Sequence, residues 1–269
     1  MSPNSTVVIS ASRRTDLVAY YPDALLAKLE TINPERIHTL VIWTKNPLNM
    51  FRHGNLNRKL RSLEQIFVHL TVTGLGGNRI EPGVPRPDEV ISTLDELIEL
   101  TGSPDRIRWR FDPIFKWRDA NGLQSNIDLF RELAPRFAER NITKIITSFC
   151  ALYPKVIDRF SRIDSLYPVE MDRGERIEAR QRLERESDEF GVKLDWCCEL
   201  DITSDGCING SILQALHPYN RPAPIDKAKG QRQHCRCTRS WDIGWYSQPC
   251  GGRCAYCYGN PVKTSRASR

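Results

Sequence analysis

The sequence has no long hydrophobic run. No stretch of about 18 uninterrupted apolar residues occurs, as a membrane-spanning helix would need, and the chain reads as a mixture of polar and apolar segments. The start, MSPNSTVVIS, has neither the basic region nor the apolar run of a signal peptide. We therefore expect a soluble, cytoplasmic protein with no membrane partner.

Histidine is also scarce, with 5 residues in a chain of 269, and no His-x-x-x-His pair occurs. Imidazole is the usual ligand of catalytic zinc, so this shortage counts against a zinc-dependent hydrolase on a barrel scaffold. That function stays open as one alternative. The chain also has no repeat of fixed period and no low-complexity segment, which indicates one enzyme-sized globular unit.

An excess of one charge is nearly absent. Lys and Arg number 39 against 33 acidic residues, a net charge of +6 spread along the chain. A second alternative is a nucleic-acid-binding protein, stabilised by zinc or an iron–sulfur cluster and without catalysis. Such a protein would use the basic tail at residues 262–269 and the aromatic side chains of Trp241, Trp245 and Tyr246.

Apolar, β-branched segments alternate with amphipathic ones along the first 199 residues. The predicted strands are residues 6–12, 37–47, 66–74, 106–115, 142–150 and 191–199, and the predicted helices include residues 21–30, 86–102, 126–141 and 174–191. Strand-then-helix order is typical of a parallel sheet with crossover helices. The predicted fold class is therefore α/β, a TIM-like parallel β/α barrel that is partial or closed.

The composition changes after residue 199, where Gly, Pro, Cys and aromatic residues become frequent. We divide the chain into a β/α barrel core, residues 1–199, and a Cys-rich C-terminal segment, residues 200–269, that closes the barrel. Metal ligation would contribute more than apolar burial to the order of this second part.

Polar side chains gather where the predicted strands end. In a parallel barrel these ends open on one face, where active sites are built. The candidate catalytic residues are Arg13, Lys45, Arg110 and Asp112, and the candidate cofactor-binding residues at strand ends are Ser12, Arg14, Thr44 and Thr73. Arg13 and Arg14 could form a fork for a carboxylate or phosphate.

The nine cysteines are an odd number and lie mostly toward the C-terminus. With no export signal, metal ligation is favoured over disulfides. Cys250, Cys254 and Cys257 have the spacing C-x3-C-x2-C, so three thiolates can hold three irons of a 4Fe–4S cluster and leave the fourth open. A zinc site would be incomplete unless Cys235, Cys237 or His234 completed it.

The segment CGGRCAYCYG, residues 250–259, resembles the radical S-adenosylmethionine signature C-x3-C-x-aromatic-C, with Tyr256 as the aromatic residue. It is most similar to the spore-photoproduct-lyase-like branch, in which Tyr follows the last cysteine, as Tyr258 does here. In that branch the motif lies near the N-terminus. Here the segments that resemble the rest of that branch come before the motif instead of after it. This order resembles a circular permutation, in which SWDIGWYSQP is the strand that leads into the cysteine motif.

Over nearly its whole length the chain resembles the domain-of-unknown-function family 1848. The segments that carry this resemblance are SASRRTD (10–16), WTKNP (43–47), WRFDPI (109–114), QRQHCRC (231–237) and SWDIGWY (240–246), together with the terminal cysteines. The family implies a fold and cofactors but no substrate.

Together the resemblances imply an enzyme that reductively cleaves S-adenosylmethionine to a 5'-deoxyadenosyl radical. They imply a 4Fe–4S cluster on Cys250, Cys254 and Cys257, S-adenosylmethionine near Tyr256, and an external electron donor such as a flavodoxin or ferredoxin. The substrate is unknown, with a slight preference for a nucleotide or nucleic acid.

Four further cysteines are candidate ligands of a second iron–sulfur cluster or of zinc. They are Cys198, Cys207, Cys235 and Cys237, since four thiolates suffice for either group. Buried free cysteines are the alternative for Cys198 and Cys207. We interpret Cys150 and Cys197 as core or strand-end residues without a ligand role.

Overall fold

The structure is a computed structural model, and it describes residues 6–199, 204–245 and 247–262. The strands are β1 Val7–Ala11, β2 Ile37–Thr44, β3 Ile66–Thr71, β4 Ile107–Ile114, β5 Lys116–Asp119, β6 Gly122–Ser125, β7 Lys144–Phe149, β8 Tyr167–Val169, β9 Lys193–Trp196 and β10 Trp241–Asp242. The helices are α1 Leu17–Tyr20, α2 Pro22–Glu30, α3 Leu48–Arg52, α4 Gly54–Arg61, α5 Pro87–Ile91, α6 Leu94–Thr101, α7 Asp128–Ala138, α8 Pro154–Phe160, α9 Arg173–Glu189 and α10 Gly210–Ala215. Tyr246, most of the basic tail and the start of the predicted second part lie outside the described residues.

Seven strands form one parallel sheet in the order β10-β1-β2-β3-β4-β7-β9. All six strands predicted in the first 199 residues belong to it, and their helices follow in the predicted order. The prediction of an α/β fold with a parallel sheet is confirmed. Because every strand runs in the same direction, all seven carboxyl ends lie at one edge of the sheet.

The closed form of the predicted barrel is absent from the described residues. β10 pairs with β1 alone, and β9 forms the opposite edge of the sheet after pairing with β7. β10 has two residues, in register with Ile9 and Ser10, and so offers few backbone groups for a second neighbour. The sheet is therefore open between β9 and β10.

Helices α1 to α7 and α9 cover one face of the sheet. Ile9, Leu40 and Val68 project from neighbouring strands into a core shared with the apolar sides of the helices. In the same core the ring of Trp109 stacks on Phe137 at a centroid distance of 4.4 Å. This is the main hydrophobic core, and its burial is the largest favourable contribution to folding.

The segment after β9 covers the opposite face. Val8, Val41 and Phe67 pack against Ile208 and Leu213 of residues 204–221. Polar side chains of the sheet bind the backbone of this segment: Arg108 Nη1 donates to Gly206 O at 2.8 Å and Gln65 Nε2 to Leu213 O at 2.8 Å. These bonds satisfy carbonyl groups that the sheet would otherwise bury without partners.

Two local features differ from the sequence prediction. β5 pairs antiparallel with β6 and β8 in a small separate sheet, whose short strands gave no clear periodicity. The helix predicted at residues 86–102 is divided into α5 and α6 at Ser92 and Thr93. Both hydroxyl groups donate to carbonyls of the preceding turn, a type of bond that weakens helices internally.

Across the described parts of the chain, no helix combines the length and the apolar character that crossing a bilayer requires.

Candidate functional site

Asp242 joins β10 to the turn that follows β1. Its carboxylate accepts from Ser12 Oγ at 2.8 Å, from Ser10 Oγ at 3.3 Å and from the Arg13 backbone N–H at 3.3 Å. Sequence analysis did not select Asp242 as a site residue, although it lies in the segment SWDIGWY. The carboxylate fixes the last strand to the strand-end residues Ser12 and Arg13.

The chain between β10 and Cys250 is held at the same edge of the sheet. Arg14 Nη1 donates to Gly244 O at 3.0 Å, and Tyr21 OH donates to Pro249 O at 2.8 Å. Each of these bonds joins residues more than 220 positions apart in the sequence. Cys250 therefore enters its loop beside the segment that follows the carboxyl end of β1.

Residues 250–257 form what we call the terminal cysteine loop. Gly83 N donates to Gly252 O at 3.2 Å, so the loop lies against the turn after β3. A Cβ atom on Gly83 would lie 2.1 Å from Gly251 O, a distance that only displacement of the backbone could relieve. Glycine is required at this contact because the two backbones approach so closely.

A buried carboxylate joins the terminal cysteine loop to the sheet. Glu81, with 1% of its surface exposed, accepts from Lys45 Nζ and Thr73 Oγ1 at 2.8 Å each and from Tyr256 OH. Lys45 Nζ also contacts Tyr256 OH at 2.8 Å. Three predicted site residues therefore meet at Glu81, which was not among the site residues selected from the sequence.

Lys45 is a cation in this network. Burial alone lowers the pKa of its ammonium group, but the Glu81 carboxylate and other nearby groups outweigh burial, so the pKa lies above its usual value. The charge stays in place at neutral pH and faces the phenol of Tyr256. A buried ion pair with extra hydrogen bonds of this kind fixes geometry.

Asp16 connects the ends of β1 and β2. Its carboxylate accepts from Thr44 Oγ1 at 2.9 Å, from the Lys45 backbone N–H at 2.8 Å and from Ala19 N at 3.0 Å. Burial raises the pKa of Asp16 to about 6, against these stabilising hydrogen bonds. The Asp16 backbone N–H also donates to the sulfur of Cys250.

Arg110 and Asp112 lie further along the same edge. They form an ion pair with each other, and Ser148 Oγ donates to Asp112. The guanidinium groups of Arg110 and Arg13 lie over the ring of Trp43, with Cζ 4.8 Å and 5.1 Å from the ring centroid. Trp43 therefore links the part of the edge at β1 to the part at β4.

Five cysteines form a second group, which we call the sheet-face cysteine group: Cys197, Cys198, Cys207, Cys235 and Cys237. The Sγ atoms of Cys197 and Cys198 are 3.7 Å apart, and those of Cys197 and Cys207 are 3.6 Å apart. Four of the five are the predicted second ligand set. Cys197 was assigned no ligand role from the sequence, and only its adjacency to Cys198 signalled it.

The predicted residues thus occupy two neighbouring places. Those near the terminal cysteine loop are Ser12, Arg13, Arg14, Thr44, Lys45, Thr73 and Tyr256. Arg110 and Asp112 lie closer to the sheet-face cysteine group, since Arg110 Nη1 is 3.4 Å from Cys207 Sγ. Trp43, absent from the sequence prediction, lies between the two places.

The terminal cysteine loop has donor chemistry that fits an iron–sulfur cluster. Backbone N–H groups point at two of its sulfurs, Gly259 N at 3.2 Å from Cys257 Sγ and Asp16 N at Cys250. Burial raises the pKa of Cys250 to about 11 and that of Cys254 well above its usual value. A metal that replaces the thiol protons would remove this cost of burying charge.

No three His, Cys, Asp or Glu side chains within the described ranges are placed so that they could hold a metal ion. A 4Fe–4S cluster does not require its cysteines to converge on one point, because each cysteine binds a different iron. The three cysteines of the terminal cysteine loop therefore remain candidate ligands of a cluster.

Fold and site together define an α/β protein whose parallel sheet carries two groups of cysteines, one at its carboxyl edge and one on a face. The profile of the family described as a domain of unknown function (DUF1848) matches residues 30–259. Since the match spans most of the chain, the protein belongs to this family, as the sequence resemblance indicated. No curated protein and no solved structure matches the chain.

Proposed function

We propose that the protein is a reductive radical S-adenosylmethionine enzyme of unknown substrate. Cys250, Cys254 and Cys257 would hold a 4Fe–4S cluster with one open iron, to which S-adenosylmethionine would bind. Bound together, these groups supply a one-electron cleavage of a carbon–sulfur bond that yields a 5'-deoxyadenosyl radical. The protein's own part is to position both cofactor and substrate and to exclude water.

The observation that carries this proposal is the parallel pairing of β10 with β1. The terminal cysteine loop thereby follows a strand at the carboxyl edge of the sheet, next to β1, the strand that Arg13 follows. This arrangement is the one that a circularly permuted radical-enzyme barrel requires. It supports the proposal of a partial, permuted barrel over an unrelated open sheet.

Lys45, Glu81 and Tyr256 would keep the terminal cysteine loop in one conformation. The three side chains are hydrogen-bonded to one another, and the Glu81 carboxylate also accepts a hydrogen bond from the hydroxyl group of Thr73. Hydrogen-bonded partners of this kind would orient the loop and its cysteines, as outer-shell partners do at metal sites.

Arg13 is the residue best suited to an anionic group of the cofactor or substrate. Its Nη2 is buried and has no hydrogen-bond partner among the described residues. A buried guanidinium donor without a partner is uncommon and calls for an acceptor such as a carboxylate or phosphate. Arg110 differs, since its fork is already occupied by Asp112 and Cys207.

An external one-electron donor, such as a flavodoxin or ferredoxin, is part of the proposal. The proposed cleavage would consume one electron for each radical formed, and an outside protein would have to supply that electron. The positive net charge of +6 suits an acidic carrier protein.

The test is anaerobic purification with iron and sulfide analysis, followed by addition of dithionite and S-adenosylmethionine. We expect a brown protein that forms 5'-deoxyadenosine and that loses both properties in Cys254→Ala. The matched control is Cys150→Ala, a buried cysteine outside both groups, which should keep both. Stoichiometric zinc without iron, or no 5'-deoxyadenosine from an iron-loaded protein, contradicts the proposal.

A further inference from the structure

The sheet-face cysteine group brings five free thiols from three separate segments of the chain together. Cys197 contacts Cys198 and Cys207 at Sγ–Sγ distances of 3.7 Å and 3.6 Å, and Cys198 is hydrogen-bonded to Cys235. Two thiolates that share a tetrahedral metal ion with bonds of about 2.3 Å lie about 3.8 Å apart. Both distances at Cys197 are close to that separation.

N–H donors, two of them from arginine side chains, lie close to the sulfurs, as they do around thiolate anions. Arg110 Nη1 lies 3.4 Å from Cys207 Sγ, Arg232 Nη2 lies 3.9 Å from Cys197 Sγ, and the Ile208 backbone N–H donates to Cys237 Sγ at 3.5 Å. Neutral thiols are weak acceptors and have little need of three N–H donors. Metal-bound thiolates, in contrast, are stabilised by N–H donors and by positive charge nearby.

The backbone around the group is bent so that the segments can meet. Cys198 has a φ of 62°, which is rare for a side chain other than glycine. Gly206 has a φ of 77°, and a Cβ atom there would lie 2.8 Å from Arg236 O. Such conformations persist only where other interactions compensate for their cost.

A cavity of about 340 Å³ borders Cys235 and opens toward solvent. Glu199, Lys227, His234 and Arg236 are among its lining residues. It gives small ions a route to the group from outside, whereas the sulfurs of Cys207 and Cys237 are buried.

We propose that the sheet-face cysteine group is a second metal centre, ligated by thiolates, in which Cys197 is a ligand. The metal is a thiophilic ion of tetrahedral preference, either zinc or the iron of an iron–sulfur cluster. Among the described residues the sulfurs follow one another as contacting pairs and do not converge on one point, so binding of the metal requires side-chain rotation within the group.

This inference does not rest on the radical enzyme proposed above. The proposed function requires Cys250, Cys254 and Cys257, whereas the second centre requires none of them. A variant without those three cysteines therefore tests the second centre alone.

The experiment uses the full chain carrying Cys250→Ala, Cys254→Ala and Cys257→Ala, purified anaerobically and analysed for iron, sulfide and zinc. We expect about one metal centre per chain to remain. Iron with sulfide would identify a cluster, and zinc without sulfide would identify a zinc ion; either result supports the proposal. After chelation, Co²⁺ alone should bind and give thiolate-to-metal charge-transfer absorption.

Cys197→Ser in this background should lower Co²⁺ affinity by about 100-fold or more, since loss of an outer-shell partner alone costs 10–100-fold. Cys150→Ser, placed in the same background, should bind Co²⁺ with unchanged affinity. Absence of bound metal together with absence of Co²⁺ binding overturns the proposal. Equal affinities of the Cys197 and Cys150 variants overturn the role of Cys197.

A second measurement needs no variant and covers the case in which Cys197→Ser fails to fold. The native wild-type protein is alkylated before and after chelation, and each cysteine is quantified by mass spectrometry. We expect labelling of Cys198, the most exposed of the five, to rise by an order of magnitude after chelation while that of Cys150 stays constant. An unchanged labelling rate at Cys198 in a chelated but folded protein overturns the proposal.

Discussion

The terminal cysteine loop and the sheet-face cysteine group are ordered by different kinds of contact. In the terminal cysteine loop, backbone contacts and the hydrogen bonds of Glu81 fix the course of the chain, and this course sets the positions of the cysteines. In the sheet-face cysteine group the sulfurs contact one another directly, and N–H groups of Arg110 and Arg232 point at them. Main-chain and side-chain contacts of neighbouring segments therefore order the first, whereas contacts between cysteine sulfurs join the separate segments of the second.

This difference predicts that each group can be disturbed alone. The largest effect is expected from Glu81→Ala, which leaves the largely buried Lys45 ammonium group without its carboxylate. Breaking a buried pair in this way costs about 3–5 kcal/mol of unfolding free energy, and denaturant titration measures it. The alkylation rate of Cys254 should rise, while that of Cys207 in the native protein should not.

Glu99→Ala is the control for this prediction. Glu99 pairs with Arg61 on the surface, with 70% of the Glu99 side chain exposed. Exposed pairs of this kind contribute under about 1 kcal/mol. Equal losses of stability in the two variants would show that Glu81 does not hold the loop.

Gly206→Ala disturbs the sheet-face cysteine group. The new methyl group meets Arg236 O at 2.8 Å and the residue keeps a φ of 77°, so strain and overpacking together cost about 2–4 kcal/mol. We expect faster alkylation of Cys207 and Cys237, with Cys254 unchanged. Faster alkylation of Cys254 to the same extent would mean that the two groups are one cooperative unit.

Gly83→Ala is the converse experiment. A Cβ atom 2.1 Å from Gly251 O must displace the terminal cysteine loop, at a cost of about 1–3 kcal/mol. Gly54→Ala is its matched control, because no atom beyond its chain neighbours and the backbone of its own helix lies within 4 Å of the new methyl group. Only Gly83→Ala should lower the thermal midpoint of unfolding and expose Cys254 to alkylation. An unchanged alkylation rate of Cys254 would show that Gly83 is not needed for the order of the terminal cysteine loop.

The smallest effect lies away from both groups, where segment 204–221 meets β2. The rings of His38 and His217 are 4.6 Å apart, and Arg221, Arg106 and Glu64 surround them. Burial lowers the pKa of each below its usual 6.5. The unfolded chain therefore binds more protons below pH 6.5, and the unfolding free energy should fall as the pH drops through that value.

The measurement is the pH dependence of urea unfolding between pH 5 and 7.5, for the wild type and for His38→Gln with His217→Gln. The loss amounts to about 1.4 kcal/mol for each pKa unit of depression. A smaller slope in the double variant is the expected result. Equal slopes would place the titrating groups elsewhere.

The sequence was most informative where the residues of one feature lie close together along the chain. Residues 250–257 contain their three cysteines within one loop, and the six main strands had clear apolar periodicity. Glu81 and Asp242 could not be ranked as site residues, because their partners are distant in sequence and their importance comes from burial. Cys197 was missed for the same reason, since its contact with Cys207 depends on how residues 204–208 cross the sheet.

The break between α5 and α6 and the open edge at β10 show a related limit. Hydrophobic periodicity continues through Ser92 and Thr93, so it predicts one helix. The hydroxyl groups of these two residues bind backbone carbonyls of the preceding turn, and such local bonds compete with regular helix formation. Barrel closure depends on strand length and stagger, which the pattern of residues 240–249 does not encode.

The pairing of β10 with β1 also sets an order of events during synthesis. The hydrogen bond between Ser10 and Asp242 joins positions 232 residues apart, so the first strand leaves the ribosome long before its edge partner exists. The terminal cysteine loop can reach the sheet only after the helices and the other strands have been made. Any metal held by Cys250, Cys254 and Cys257 would therefore find its site assembled only after the preceding strands of the sheet have been made.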